Sequence, residues 1–395
     1  MQTSPDTLFI FAGGGTGGHL FPGLAVAERI GERLGERAAT LFLCSRRPID
    51  RSILEREGAS FTPVPAAPPG LEPRAMWRFV RGWGPSLREG RSVVRSARRS
   101  GRRVVVVTTG GFVAAPIVQA ARVEKCPVVM LNLDAVPGRA NRWIAGHARR
   151  VYTTVALEGG ARLRTRAEIE VVPPIVRRAA TARGTPAECR ESLGLDPATP
   201  TLLVTGGSQG AASINRFLVA FARQRGEALR GWQVLHQTGG SGSMTPGEED
   251  GATQRAVVEV RDAYRGAGVR ARVVPFLREM GRAWGAADLC VCRAGAGNVA
   301  EAWATRTPCV FMPYPYHRDE HQRLNAAPLA VKGAAMLVRD AIGPEANLQE
   351  AGRMLGELLG DPAARARMVQ ALAGLGPADG AERVASGVVG LVQGM

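Results

Sequence analysis

Residues 11–30 read FAGGGTGGHLFPGLAVAERI: the end of an apolar strand, a glycine loop broken only by Thr16, a histidine at position 19, then an amphipathic run. Upstream, Leu8 to Ala12 is continuously apolar, as a short buried strand should be. Downstream, the spacing predicts a helix from Pro22 to Leu34, with the proline in a first turn where its missing N–H goes unnoticed. A further strand is expected from Ala39 to Cys44. Strand, glycine loop, helix and strand together form the opening unit of a parallel α/β sheet, and bare N–H groups ahead of a helix make a nest for an anion.

The unit recurs. Apolar runs at Val104 to Thr108, Val128 to Leu131 and Val151 to Thr154 alternate with helical stretches. A segment with Pro173, Pro174 and Pro197 interrupts the pattern, and TLLVTGGSQGAASINRFLVAF (201–221) then restarts it with a second strand, glycine loop and helix. Strands near Val234, Val273, Leu289 and Val310 continue the second half. The expected fold class is α/β, with two Rossmann-like doubly wound domains facing each other across a cleft. The expected limits are 1–177 for the first domain, 178–375 for the second, and a closing helix over 376–395 that packs back on the first.

Composition narrows the class. The chain has 395 residues, 45% of them apolar, enough for two cores. Its six cysteines are scattered without CxxC or Cys/His zinc spacing and read as buried thiols in a reducing compartment. No basic leader precedes an apolar run, and no run reaches the roughly 18 residues of a spanning helix, so a cytoplasmic location is expected. The formal charge of +16 suits an anionic partner, whether nucleic acid, a phosphate-bearing substrate or a membrane surface. Arg91, Arg95, Arg98, Arg99 and Arg102 form a basic stripe behind RAMWRFVRGW (74–83), in which Met76, Trp77, Phe79, Val80 and Trp83 mix with Arg74, Arg78 and Arg81. Interleaved aromatic and basic residues on a helix suit an interfacial membrane contact; the alternative is a core-facing helix with a solvated back. No nucleic-acid-binding module is present in the pattern.

Gly13, Gly15 and Gly18 satisfy the G-x-G-x-x-G dinucleotide spacing, but Pro22 is expected to delay the helix, and the second strand ends in Ser45, Arg46 and Arg47 instead of a ribose-binding acid. Those arginines leave a 2′-phosphate, and hence NADP, as an alternative. Two further glycine loops, GGSQGAASIN (206–215) and CRAGAGNVAEAW (292–303), also follow strands. Such a set fits a diphosphate-sugar donor better than a single mononucleotide.

GGTGGHLFPGLAVA (14–27), GGSQGA (206–211), HQTG (236–239), CRAGAGNVAE (292–301) and DEHQRLNA (319–326) resemble, in order and spacing, the motifs of the MurG family of glycosyltransferase family 28. The resemblance covers about residues 7–370. It implies a GT-B fold and inverting transfer of GlcNAc from UDP-GlcNAc to the 4-hydroxyl of MurNAc in lipid I, giving lipid II. The setting it implies is peptidoglycan synthesis, with its links to cell shape and division, at the cytoplasmic face of the inner membrane. The implied partners are UDP-GlcNAc, lipid I, the anionic membrane surface and other cell-wall proteins, with no obligatory cofactor; no DxD pair implies a divalent metal.

Residue by residue, the resemblance gives Glu301 the donor's ribose hydroxyls and Leu277 a backbone contact with uracil. Arg177, Ser208 and Gln209 face the nucleotide or its diphosphate, as do Ala296, Gly297 and Asn298 in the third loop. Gln322 and Asn325 serve the sugar, and Thr16, Gly17 and Gly18 complete the donor set. Gly14, Gly15, Gly110 and Gly111 are expected at the acceptor diphosphate. His19 is either the base for the attacking hydroxyl or a group that braces the loop and positions ligand.

The chain departs from the family pattern at several places. Leu131-Asn132-Leu133-Asp134 stands where the family has HEQN, with Asp134 an alternative sugar contact, and Asn298 replaces a threonine. PPIVR (173–177) replaces GNPVR, and TTGGF (108–112) replaces GxGGY. These changes touch acceptor and sugar contacts more than the uridine site. They leave two alternatives: a related transferase with another acceptor, or a non-catalytic UDP-sugar-binding paralogue.

Overall fold

The computed structural model describes residues 6–70, 72–157, 163–181, 184–207, 210–240 and 251–394. The chain divides into two units, residues 1–177 with 379–395, and residues 178–378.

In the first unit, valine-rich and leucine-rich runs buried on both faces form a parallel sheet. Its strands are β1 (Thr7–Ala12), β2 (Ala38–Ser45), β3 (Phe61–Val64), β4 (Arg103–Thr108), β5 (Val128–Asn132), β6 (Arg150–Thr153) and β7 (Glu168–Val171), in the spatial order β3-β2-β1-β4-β5-β6-β7. The strand order reverses between β1 and β4, which lie side by side with Ala12 opposite Thr108. The loops leaving those two strands therefore diverge, opening the crevice where doubly wound sheets bind ligands. One sheet face is covered by the helix Gly17–Leu34 and by the last helix, Gly380–Gln393, whose Val384, Ala385 and Val388 join Phe9, Phe11 and Ile30 in one core. Arg33 Nε donates to Glu382 Oε1 at 2.9 Å, and Arg103 Nη1 donates to the Val392 carbonyl at 2.9 Å.

The second unit repeats the plan with β8 (Thr201–Thr205), β9 (Gln233–Gln237), β10 (Arg270–Val274), β11 (Leu289–Cys292), β12 (Cys309–Phe311) and β13 (Met336–Leu337), ordered β10-β9-β8-β11-β12-β13. The reversal here falls between β8 and β11, so the second and third glycine loops leave from its two sides. Two Rossmann-like parallel-sheet domains are the architecture of the GT-B fold.

Two expectations need correction. The first helix begins at Gly17, inside the glycines, and carries Pro22 within it. Pro22 cannot donate to the carbonyl of Gly18, so the helix runs through the proline with one backbone bond missing near its start. The arginine stripe is not a free basic face either. On the helix Pro73–Arg99, Arg91 and Arg95 both reach Glu124 Oε1, at 2.7 and 3.1 Å, and Arg98 donates to the carbonyls of Glu124 and Lys125. These arginines cap the C-terminus of the neighbouring helix Gly111–Val123. Gly90 permits that packing, since a Cβ there would lie 3.0 Å from Ala120 Cβ.

Candidate functional site

The first glycine loop is braced from inside. Asp50, fully buried on the helix Pro48–Arg56, accepts the Gly15 N–H on both oxygens, at 2.9 and 2.8 Å, and the Ser45 N–H and hydroxyl at 2.9 and 2.6 Å. A Cβ on Gly14 would lie 2.3 Å from Asp50 Oδ2. Arg47 donates to the Gly15 carbonyl at 3.0 Å, with its guanidinium 5.4 Å from the Phe112 ring centre. The Gly15 N–H, one of the groups expected at the acceptor diphosphate, is thus engaged by a carboxylate of the protein itself. Beyond it the chain opens. Thr16 is the N-cap of the first helix, without a side-chain cap, Gly17 is packed against Phe21, and Gly18 is exposed.

Gly110 and Gly111, at φ of 91° and 80°, turn the chain out of β4 into the helix Gly111–Val123. A Cβ on Gly110 would fall 1.7 Å from Asn141 Oδ1, and one on Gly111 would lie 3.3 Å from His19 Nε2. The His19 ring thus lies beside a glycine backbone at the switch point. Its carbonyl accepts from Thr109 Oγ1 at 2.7 Å, and its buried Nδ1 has no hydrogen-bond partner. Burial lowers the His19 pKa, against the opposing charges of Asp134 and Asp50, and so favours the neutral ring.

In the LNLD segment, Asn132 turns inward. Its amide donates to the Asp134 carbonyl at 2.8 Å and its Oδ1 accepts from Asn141 at 3.1 Å, fixing the loop that carries Asp134. Arg177 lies 4.2 Å over the Phe21 ring, with Nη1 2.7 Å from Glu57 Oε1 but outside hydrogen-bonding geometry. In this structure its charge is matched within its own unit.

In the second unit, Ser208 and Gln209 lie outside the described residues. Around them, the loop is held by close backbone approach: a Cβ on Gly210, at φ 73°, would fall 2.2 Å from the Thr238 carbonyl oxygen. Leu277 is buried and its N–H donates to Gln237 Oε1 at 2.9 Å, so what it has left for a base is its carbonyl. This narrows the expected backbone pairing with uracil.

The third loop opens the helix Ala296–Thr305, whose N-cap Gly295 supplies no side chain. Added Cβ atoms at Gly295 and Gly297 would meet nothing within 4 Å, so packing does not demand these glycines, and the open helix N-terminus at Ala296 and Gly297 suits an anion. Glu301, one turn further in, accepts the Trp284 indole N–H on Oε2 at 2.6 Å, which sets its rotamer. Asn298 serves the loop itself, donating to the Arg293 carbonyl at 2.9 Å. Asn325 is buried and donates to the Ala294 carbonyl at 3.4 Å, whereas Gln322 accepts the Tyr314 N–H at 2.9 Å from a half-buried position. Gln322 is thus the better placed of that pair to meet a sugar.

Beneath these loops lies a buried ion pair that sequence reasoning missed. Arg293 donates to Asp340 Oδ2 at 2.7 Å, to Ser213 Oγ at 2.7 Å and to the Met312 carbonyl at 2.8 Å. Ser213 Oγ donates to Asp340 Oδ2 at 2.6 Å. Burial alone would raise the Asp340 carboxyl, but hydrogen bonds from Ser213, Asn347, Ile342 and Arg293 hold it below its usual range. The network ties the second and third glycine loops together. Spacing gave no hint either that Cys290, Cys292 and Cys309 meet, with sulfurs all within 4.8 Å of one another; they lie wholly within the apolar core.

Residues 9–153 match the glycosyltransferase family 28 N-terminal domain, and residues 201–384 match the family 28 C-terminal domain. The chain belongs to glycosyltransferase family 28. Within family 28 it is of the MurG type. It is 37% identical over 389 residues, covering 96% of this chain and 95% of the relative, to the UDP-N-acetylglucosamine--N-acetylmuramyl-(pentapeptide) pyrophosphoryl-undecaprenol N-acetylglucosamine transferase of Clavibacter michiganensis subsp. michiganensis. The protein of the same name from Desulforudis audaxviator is 33% identical over 378 residues, covering 93% and 94%. The crystal structure of Acinetobacter baumannii MurG shares the fold, with a TM-score of 0.65 at 23% identity over 99% of this chain and 100% of that one.

Asp50 and Gln237 hold the first and second glycine loops through backbone hydrogen bonds, while Arg293, Asp340 and Ser213 join the second and third through their side chains.

Proposed function

We propose that this family 28 chain transfers N-acetylglucosamine from UDP-GlcNAc to the 4-hydroxyl of N-acetylmuramic acid in undecaprenyl-diphosphate-MurNAc-pentapeptide. The acceptor oxygen bonds to the anomeric carbon as that carbon's bond to the β-phosphate oxygen breaks, with inversion. UDP leaves, and the hydroxyl proton passes to a base. The observation that carries the reading is that similarity to the named transferases runs through both units, 9–153 and 201–384, and not through the donor half alone.

The residues take roles their surroundings suit. Glu301, oriented by Trp284, accepts the ribose hydroxyls. The N-terminus at Ala296 and Gly297 stabilises charge on the departing diphosphate without a metal. His19, whose neutral form burial favours, takes the acceptor proton. Membrane contact falls to the first turns of the helix Pro73–Arg99, where Met76, Trp77 and Val80 are 45%, 59% and 64% exposed beside Arg74, Arg78 and Arg81. Phe79 and Trp83, half-buried and edge to face at 5.6 Å, form the base of that patch. Among the described residues no helix is long and apolar enough to cross a membrane. We assign this contact to the cytoplasmic face of the inner membrane.

The test is turnover of UDP-GlcNAc by the purified protein with a lipid I analogue, alongside His19→Ala and Glu301→Ala. Formation of the disaccharide lipid supports the reading. Transfer only to another acceptor, which the LNLD and TTGGF departures would favour, or UDP-GlcNAc binding without turnover, would overturn it.

A further inference from the structure

The motif HQTG (236–239) begins in the last two residues of β9, whose side chains point to opposite faces of the sheet. His236 points toward helices: Nδ1 lies 3.0 Å from Tyr264 Oη and Nε2 lies 3.0 Å from Asn215 Oδ1. Gln237 points the other way, and its buried carboxamide spans two loops. Its Nε2 donates to the Gly207 carbonyl at 2.8 Å, and its Oε1 accepts the Leu277 N–H at 2.9 Å. Gly207 sits in the second glycine loop at φ 81°, with its own N–H on Thr205 Oγ1 at 3.1 Å. Leu277 follows β10, 40 residues beyond Gln237 in the chain.

The two loops have different tasks under the proposed function, on which this inference rests: Leu277 faces the base, and the glycine loop faces the diphosphate. We propose that Gln237 is a positioning residue that couples the two, setting the distance between the backbone that reads the base and the backbone that holds the phosphates. A single planar amide bonded at both ends leaves little slack between them. The loops are then ordered relative to each other on folding and not on binding, so a nucleoside diphosphate gains more than its separate pieces would. The neighbouring bonds support this use of the strand end. Thr238 N–H donates to the Val274 carbonyl at 3.0 Å and Gly239 N–H to the Pro275 carbonyl at 3.1 Å, so the strand bearing Gln237 stays paired up to the turn into Leu277.

The experiment compares the affinities of the full-length protein and of Gln237→Leu for uridine, inorganic pyrophosphate and UDP by calorimetry. The expected result is a loss of about 30-fold for UDP with changes of less than about threefold for uridine and pyrophosphate. Gln237→Glu keeps an acceptor for Leu277 and loses the donor to Gly207. It should show the same selective loss, which keeps the test decisive should the leucine variant fold poorly. Equal losses for all three ligands would indicate a collapsed site and overturn the coupling, as would an unchanged UDP affinity. Failure of the unaltered protein to bind UDP would instead remove the nucleotide reading itself, and the coupling with it.

Discussion

The backbone amide of Gly15 donates to both carboxylate oxygens of Asp50, so the anion in the first glycine nest belongs to the protein. Removing that carboxylate leaves buried N–H groups on Gly15 and Ser45 without acceptors. Asp50→Ala should cost about 3 kcal/mol of stability, read as a lower urea midpoint at unchanged slope. An unchanged midpoint would show that the loop holds itself.

Glu301 is oriented by Trp284 before any ligand arrives. Glu301→Ala should weaken UDP-GlcNAc binding by about 10- to 100-fold, since a charged acceptor for hydroxyls is lost. Trp284→Phe, which removes the orienting indole donor along with part of a buried ring, should weaken it by less. Normal donor affinity in the alanine variant would refute the ribose assignment.

His19 is favoured in its neutral form by burial, with its pKa below 6.5. If it accepts the proton in transfer, the acid limb of the activity profile should be displaced to the acid side of an ordinary histidine's. His19→Ala should lose roughly 100-fold or more in kcat with donor KM little changed. An acid limb centred above pH 6.5, or a kcat that survives the substitution, would assign the proton elsewhere.

His236 offers a stability counterpart. Burial pushes its pKa from 6.5 down to about 3. The unfolded chain therefore binds the proton more readily than the folded one. Its contribution is intact above pH 6.5 and is lost as pH falls from there toward 3, by up to about 1.4 kcal/mol per pH unit. Denaturation midpoints between pH 7 and pH 4 should show this slope, and His236→Asn should flatten it while lowering stability at pH 7.

Trp77 and Val80 project into solvent, so removing them leaves the core untouched. Trp77→Ala with Val80→Ala should reduce binding to anionic phospholipid vesicles by about tenfold or more without shifting the melting temperature. Retained vesicle binding would move the membrane contact elsewhere.

The fold was legible because β1, β4, β8 and β11 are short apolar runs, each followed by glycine either at once or within three residues. The start of the first helix was not: Gly17 and Gly18 are poor helix formers and Pro22 is a conventional boundary, yet packing of Leu20 and Leu24 into the core overrides both. The site was legible in its motif letters and obscure in its supports. Asp50 is 35 residues from Gly15, and Asp340 is 47 from Arg293. Nothing local marks either acid as the partner of a distant loop. The partner of Arg91 and Arg95 was hidden for the same reason, since Glu124 follows another helix.

The helix Gly380–Gln393 lies with the first unit, although the whole of the second unit precedes it in the chain. During synthesis, Val384, Ala385 and Val388 emerge only after residues 178–378 have been made. The order of completion is therefore the reverse of the order of synthesis: the second unit has its full set of core residues made while the unit bearing His19 still lacks the helix that covers its apolar surface. A released chain ending at residue 378 would carry every core residue of the second unit and leave the first with an uncovered apolar face, so loss of the last helix should unsettle the unit farthest from it in sequence.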